Sequence, residues 1–69
     1  MKLSARNQLK CTVKEIHEGA VNTEIIMALP DGQEIVAVIT RGSVRGLGLK
    51  SGLPVVAVIK SSSIIIGVE

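Results

Sequence analysis

No Phe, Tyr or Trp occurs in the 69-residue chain, and cysteine and histidine occur once each. Without an aromatic ring there is no platform on which a nucleic-acid base could stack. The net charge of +2 and the lack of any basic run remove the electrostatic case for nucleic acid as well. Cys11 cannot form an internal disulfide, and one Cys, one His (His17) and no Cys-x-x-Cys spacing argue against a structural zinc site. Apolar runs such as Ile35–Ile39 and Ile64–Ile66 are far too short to cross a bilayer. Residues 1–10 carry Lys2, Ser4, Arg6, Asn7, Gln8 and Lys10 and lack the apolar centre of a secretory signal. A lone thiol without an export signal predicts the cytoplasm.

What is present is branched aliphatic mass. Hydrophobic residues make up 46% of the chain, almost all Val, Ile, Leu and Ala, and branched residues suit a pleated, half-buried surface. The length predicts one domain, residues 1–69. A domain of this size buries only about 60% of the surface its unfolded chain exposes. Such chains need a staple, and with disulfide and zinc set aside, self-association is the staple expected.

Residues 1–8 are polar and read as an extended arm. Alternation begins at Leu9, with Cys11 and Val13 on one side and Lys10, Thr12 and Lys14 on the other. The phase slips before Ile16, which predicts a bulge near Lys14–Glu15. After a turn at Gly19-Ala20, a second strand spans Val21–Leu29. Pro30-Asp31-Gly32 signals a hairpin, and a third strand spans Gln33–Thr40. Thr40 reads as the N-cap of a short helix, Arg41–Leu47, stopped by Gly48. A turn at Lys50-Ser51-Gly52 leads to a fourth strand, Leu53–Lys60. Ser61-Ser62-Ser63 interrupts, and Ile64–Val68 is expected as a fifth strand. The expectation is therefore all-β: a five-stranded Greek-key barrel of the OB type, with one short helix between strands 3 and 4. An SH3-like barrel shares the length and pattern, but the position of the helix favours the OB type.

Several strands are apolar on both faces. Ile26, Ala28, Val36 and Val38 lie on the opposite parity from Ile25, Met27, Ile35, Ala37 and Ile39. Strands of that kind are covered on both faces. Burying a Val or Ile stabilises by roughly 1.5–3 kcal/mol relative to leaving it exposed, so a second subunit is the expected cover.

The residues offer no catalytic constellation. His17 stands between Ile16 and Glu18 with no nucleophile setting around it, and reads as an exposed strand-end residue. Cys11 falls at an apolar position and reads as a buried, inert thiol. Gly46-x-Gly48 lacks the spacing and preceding strand of a phosphate loop. Two polar clusters stand out instead: Ser4-Ala5-Arg6-Asn7-Gln8 and Lys60-Ser61-Ser62-Ser63. Each combines hydroxyls, backbone N–H groups and one cation, the donors a tetrahedral oxyanion needs. A solvated arm and a Ser-rich loop would have the same composition.

Five fragments in order resemble one family. They are Ser4-Ala5-Arg6-Asn7-Gln8-Leu9, Glu18-Gly19-Ala20-Val21, Thr40-Arg41-x-Ser43-Val44, Leu47-Gly48-Leu49-Lys50-x-Gly52 and Val56-Ala57-Val58-Ile59-Lys60-x-Ser62. Together they cover nearly the whole chain, which is similar to the molbindins, small cytoplasmic molybdate-binding proteins also called Mop and built from a Mop or TOBE-type domain. The resemblance implies an OB-type barrel and a homo-oligomer, specifically a hexamer arranged as a trimer of dimers. It implies molybdate or tungstate as the bound ligand, no organic cofactor and no catalytic residue. By position it implies oxyanion-binding roles for Ser4, Ala5, Arg6 and Asn7. It implies the same for Lys60, Ser61 and Ser62, which would come from a neighbouring subunit. Gly19, Ala20 and Val21 match the turn near a second oxyanion site where backbone amides dominate. None of these residues would ligate a metal cation directly. Two positions depart from the family pattern: Ser61, where Ala is common, and Ile64-Ile65-Ile66, bulkier than the usual ending.

The expected function is storage or buffering of molybdate or tungstate for molybdenum homeostasis and cofactor supply. With no room in 69 residues for a DNA-binding or ATPase domain, a free-standing buffer is expected over a regulator. The competing readings are an OB-type module for nucleic acid, which the missing aromatics oppose, and an accessory domain whose apolar faces dock another protein.

Overall fold

The computed structural model describes residues 1–69. Four strands form the protein: β1 (Asn7–Glu18), β2 (Asn22–Ala28), β3 (Glu34–Thr40) and β4 (Pro54–Ile59). The helix α1 (Arg41–Leu47) lies between β3 and β4 in the chain. All pairings are antiparallel, in the order β3-β2-β1-β4.

The long β1 serves two partners because it is bulged. Its first half pairs with β4, from Asn7↔Ile59 to Thr12↔Pro54, and its second half pairs with β2. The β1–β2 register slips between Val13 and Glu15, where the alternation of the sequence breaks. The slip brings Ile16 opposite Ile25, so that Cys11, Val13 and Ile16 all pack on the same core. The turn after α1 clamps the bulge. Val13 N–H donates to the Leu53 carbonyl (3.0 Å), Gly52 N–H to the Val13 carbonyl (2.8 Å) and Ser51 Oγ–H to the Lys14 carbonyl (3.1 Å). On the outside, the ammonium of Lys14 pairs with the Glu34 carboxylate, which raises the Lys14 pKa by hydrogen bonding and charge.

The helix is set by its caps. Thr40 Oγ1 accepts the Ser43 backbone N–H at 3.1 Å and donates to Ser43 Oγ at 2.9 Å. Gly48 closes the other end at φ 64, ψ 36, a left-handed conformation that costs a residue with a β-carbon roughly 1–2 kcal/mol. Val44 is the helix's one buried residue and plugs the core.

That core is small. Only 7 of 69 residues are buried: Cys11, Val13, Thr23, Ile25, Met27, Val44 and Ala57. The inner face of the sheet continues past them into a groove of about 340 Å³, lined by hydrophobic side chains alone. Val13, Ile25 and Met27 form its floor, and Ile35, Ala37 and Ile39 of β3 face Val55, Ala57 and Ile59 of β4 across it. The opposite face of the sheet is also apolar, with Val36, Val38, Val56 and Val58 all exposed.

The expectation of a closed five-stranded barrel requires correction. The sheet has four strands, β3 and β4 are its unpaired edges, and Ile64–Val68 is not a strand. A strand exists only with a ladder partner, and these residues have none: Ile65, Ile66 and Val68 are 94%, 89% and 98% exposed. Three smaller differences follow from register. β1 starts at Asn7, inside the segment expected as an arm, because Asn7 pairs with Ile59. β2 and β4 are each one residue shorter than expected at both ends, and β3 starts one residue later. Ser61–Ser63 is a turn of 3-10 helix, with Ser63 N–H donating to the Lys60 carbonyl at 2.9 Å.

Candidate functional site

The β1–β4 register decides where the two polar clusters lie. Asn7 opposite Ile59 is the terminal pair of that ladder, so Arg6, just before β1, and Lys60, just after β4, are the next residues outward. The clusters Ser4–Asn7 and Lys60–Ser62, fifty residues apart in sequence, therefore meet at one end of one chain. Ser4, Arg6, Lys60, Ser61 and Ser62 are exposed, and Ala5 and Asn7 are half-buried. The N-terminal segment is held by Gln8, whose side-chain amide donates to the Ala5 carbonyl at 2.8 Å. Lys60 begins the 3-10 turn with extended backbone, φ −63 and ψ 128, and uses no side-chain cap.

Charge is uncompensated at this end. The charged contacts of the chain are the Lys14–Glu34 ion pair and the approach of His17 Nε2 to the Glu15 carboxylate at 3.4 Å. Neither involves Arg6 or Lys60, and no acidic residue lies within either cluster. Two cations with neighbouring hydroxyl and amide donors form a surface that attracts a small anion through charge-assisted hydrogen bonds.

Gly19, Ala20 and Val21 lie elsewhere. They form the β1–β2 turn, at the far end of the twelve-residue β1 from Arg6. A single chain cannot bring the two places together. All three residues are exposed, but the Gly19 N–H is already given to the Asn22 carbonyl at 2.8 Å. That leaves the amides of Ala20 and Val21 as the donors of the turn. Glu18 precedes it, and His17 pairs with Glu24 across the strands, so the local charge is less favourable to an anion than at Arg6 and Lys60.

Residues set aside in the sequence are placed accordingly. Cys11 is buried as a free thiol, and its Sγ–H donates to the Leu9 carbonyl at 3.6 Å. The His17 imidazole is exposed beside Glu15. No group of three or more His, Cys, Asp or Glu side chains is arranged to hold a metal cation. No helix is long and apolar enough to cross a membrane. What sequence reasoning missed is the adjacency of the two clusters within one chain. Its signal was the alternation on Leu9–Val13 and Val55–Ile59, which permits the pairing but does not select its register.

A model of the TOBE domain matches residues 3–66. The chain is 48% identical to the molybdenum transport protein ModE of Azotobacter vinelandii over 99% of its own length, but spans only 25% of ModE. It is 38% identical to molybdenum-pterin-binding protein 3 of Clostridium pasteurianum, covering 96% of this chain and 97% of that protein. Among solved structures, the cytoplasmic molybdate-binding protein ModG with molybdate bound superposes with a TM-score of 0.95 at 51% identity. That match covers all of this chain and 49% of ModG.

Proposed function

The chain belongs to the TOBE-domain family and to its molybdenum-pterin-binding, or Mop, members, and on that premise we propose that it binds molybdate and buffers its supply. The observation that carries this reading is the Asn7↔Ile59 pair, which sets Arg6 and Lys60 side by side among Ser4, Asn7, Ser61 and Ser62. Molybdate is a tetrahedral dianion with four acceptor oxygens. Arg6 and Lys60 offset its charge, while hydroxyl and backbone N–H groups meet the oxygens that the cations do not reach. Tungstate has the same shape and charge and binds the same donors. Protonated phosphate brings a hydroxyl where only acceptors are wanted and binds less well.

The ligand is cargo, and the protein performs no chemistry on it. No acid–base pair or nucleophile stands at the site, and the oxyanion needs no organic cofactor to be held. The similarity to ModG, a molybdate-binding protein solved with molybdate bound, supports the oxyanion as the ligand.

The site is shared between subunits of a homo-oligomer, a hexamer in the assembly proposed here. On a single chain the cluster is open to solvent, and a neighbouring copy completes it. Val36, Val38, Val56 and Val58 on the outer face supply an apolar surface for that contact. Symmetry then repeats each donor set around the anion. The turn Gly19–Val21 is the second, weaker oxyanion site, using the Ala20 and Val21 amides. The protein works in the cytoplasm, as ModG does.

Native mass spectrometry with and without molybdate, in excess sulfate, tests the proposal. A homo-oligomer gaining discrete molybdate masses is the expected result. A protein that gains no mass, or gains it equally from sulfate, sinks the assignment.

A further inference from the structure

We propose that Gln8 is a positioning residue for the oxyanion site: it holds the Ala5–Arg6 peptide in one orientation, with the carbonyl turned away from the anion and the Arg6 N–H presented to it. The inference rests on the oxyanion reading of the Arg6–Lys60 cluster, and adds to it a backbone donor and the residue that aims that donor. Residues 1–6 precede β1 and have no ladder partner, since the β1–β4 pairing starts at Asn7. None of the backbone hydrogen bonds of the turns and loops reaches them. What ties them to the sheet is the bond from Gln8 Nε2 to the Ala5 carbonyl, at 2.8 Å.

That bond closes a ring from Ala5 to Gln8 and so restrains the backbone of Arg6 and Asn7 between them. Gln8 is itself anchored, because it stands in β1 opposite Val58 of β4. A strand is a firm base from which to hold a site segment that has no partner of its own. The bond also sets a direction. A trans peptide unit is planar, with its C=O and N–H pointing opposite ways, and the chain contains no cis peptide. By taking the Ala5 carbonyl, Gln8 directs the Arg6 N–H to the other side, and that N–H is given to no acceptor in the chain.

Orientation matters because a carbonyl oxygen and an oxyanion repel each other. A peptide able to turn over would meet the ligand with its negative end. Held by Gln8, it contributes its positive end beside the Arg6 guanidinium. The neutral amide does this without adding charge, whereas an ionised carboxylate at the same place could not donate and would repel the anion. A segment that is already ordered also loses less freedom when the ligand binds. The hold of one such hydrogen bond corresponds to about 3- to 10-fold in affinity.

The test is Gln8→Met in the full-length protein, a side chain of nearly the same length without a donor. Isothermal titration with molybdate should show an affinity lower by about 3- to 10-fold. The ligand-free Tm should stay unchanged, because Gln8 is exposed. The ligand-free heteronuclear NOE of the Arg6 amide should fall, and the downfield shift of its proton at saturating molybdate should be smaller than in wild type. Gln8→Lys keeps a donor of similar reach and should restore the ligand-free NOE, a readout that its added charge does not move. A Met variant that binds molybdate as wild type does, or whose Arg6 NOE is unchanged, overturns the role of Gln8. A loss of affinity in step with a lower ligand-free Tm makes Gln8 a structural residue and overturns it too. Wild type separates the two readings: its failure to bind molybdate sinks the oxyanion assignment, while equal binding by wild type and Gln8→Met sinks the positioning role alone.

Discussion

Asn7 and Ile59 face each other as the last pair of the β1–β4 ladder, and that register makes Arg6 and Lys60 neighbours. Arg6 lies just before β1 and Lys60 just after β4, and both are exposed and contribute nothing to the core. Binding and folding are therefore separable at these positions.

Arg6→Ala and Lys60→Ala should each weaken molybdate binding and leave ligand-free stability nearly unchanged. A hydrogen bond to a charged group contributes roughly 1.5–3 kcal/mol, so the expected loss in affinity is on the order of 10- to 100-fold by isothermal titration. If ligand-free melting fell sharply with Arg6→Ala, Arg6 would be a structural residue of the subunit contact.

Ile25 tests the core. It is 2% exposed, stands opposite Ile16 of β1 and Ala37 of β3, and belongs to a cluster of six buried hydrophobic residues. Ile25→Val should cost about 0.5–1.5 kcal/mol and Ile25→Ala about 2–5 kcal/mol. In so small a core the Ala variant should be largely unfolded without ligand, and saturating molybdate should recover part of its far-UV circular dichroism.

Much of this architecture was legible in the chain. The bulge showed as a break in alternation before Ile16, and the helix as Thr40 and Gly48 bracketing Val44. These features are local, set by period and by caps. The pairing of Asn7 with Ile59 joins residues far apart in sequence, and alternation on each strand is equally compatible with a shift of two. The segment Ile64–Val68 has the composition of a strand, but composition does not supply a partner. The two-faced apolar pattern of β3 did announce exposed Val36 and Val38.

Gly19 is required by space. A β-carbon there would sit 2.7 Å from the Asn22 carbonyl oxygen, the same atom that accepts the Gly19 N–H. Gly19→Ala should open the β1–β2 turn and destabilise by about 1–3 kcal/mol. Heteronuclear NMR should show the largest shift changes at residues 18–23, with Arg6 and Lys60 unaffected.

Asp31 gives a pH signature. Its carboxylate accepts the Gln33 backbone N–H at 3.1 Å and the Gln33 side-chain amide at 2.7 Å, which hold its pKa below the ordinary aspartate value. The contribution is present above the unfolded-state pKa and is lost as pH falls through the folded one. Thermal melts of wild type and Asp31→Ala should differ at neutral pH and converge in acid. A constant gap down to the lowest pH would assign the effect to turn conformation and not to the charge.

Thr23 is the one buried residue outside the hydrophobic core. It is fully buried, and its Oγ1 has no hydrogen-bond partner. An unpaired buried hydroxyl costs roughly 1–3 kcal/mol of desolvation. Valine has nearly the same shape and no polar atom. Thr23→Val should therefore raise the urea midpoint, a gain of about 1 kcal/mol, with no change in slope because the surface exposed on unfolding is the same. Thr23→Ser supplies the control. It keeps the hydroxyl and deletes a methyl group from a filled space, so it should destabilise by about 1 kcal/mol. A Val variant less stable than wild type would mean that the hydroxyl is satisfied inside the chain, by a backbone carbonyl or an enclosed water.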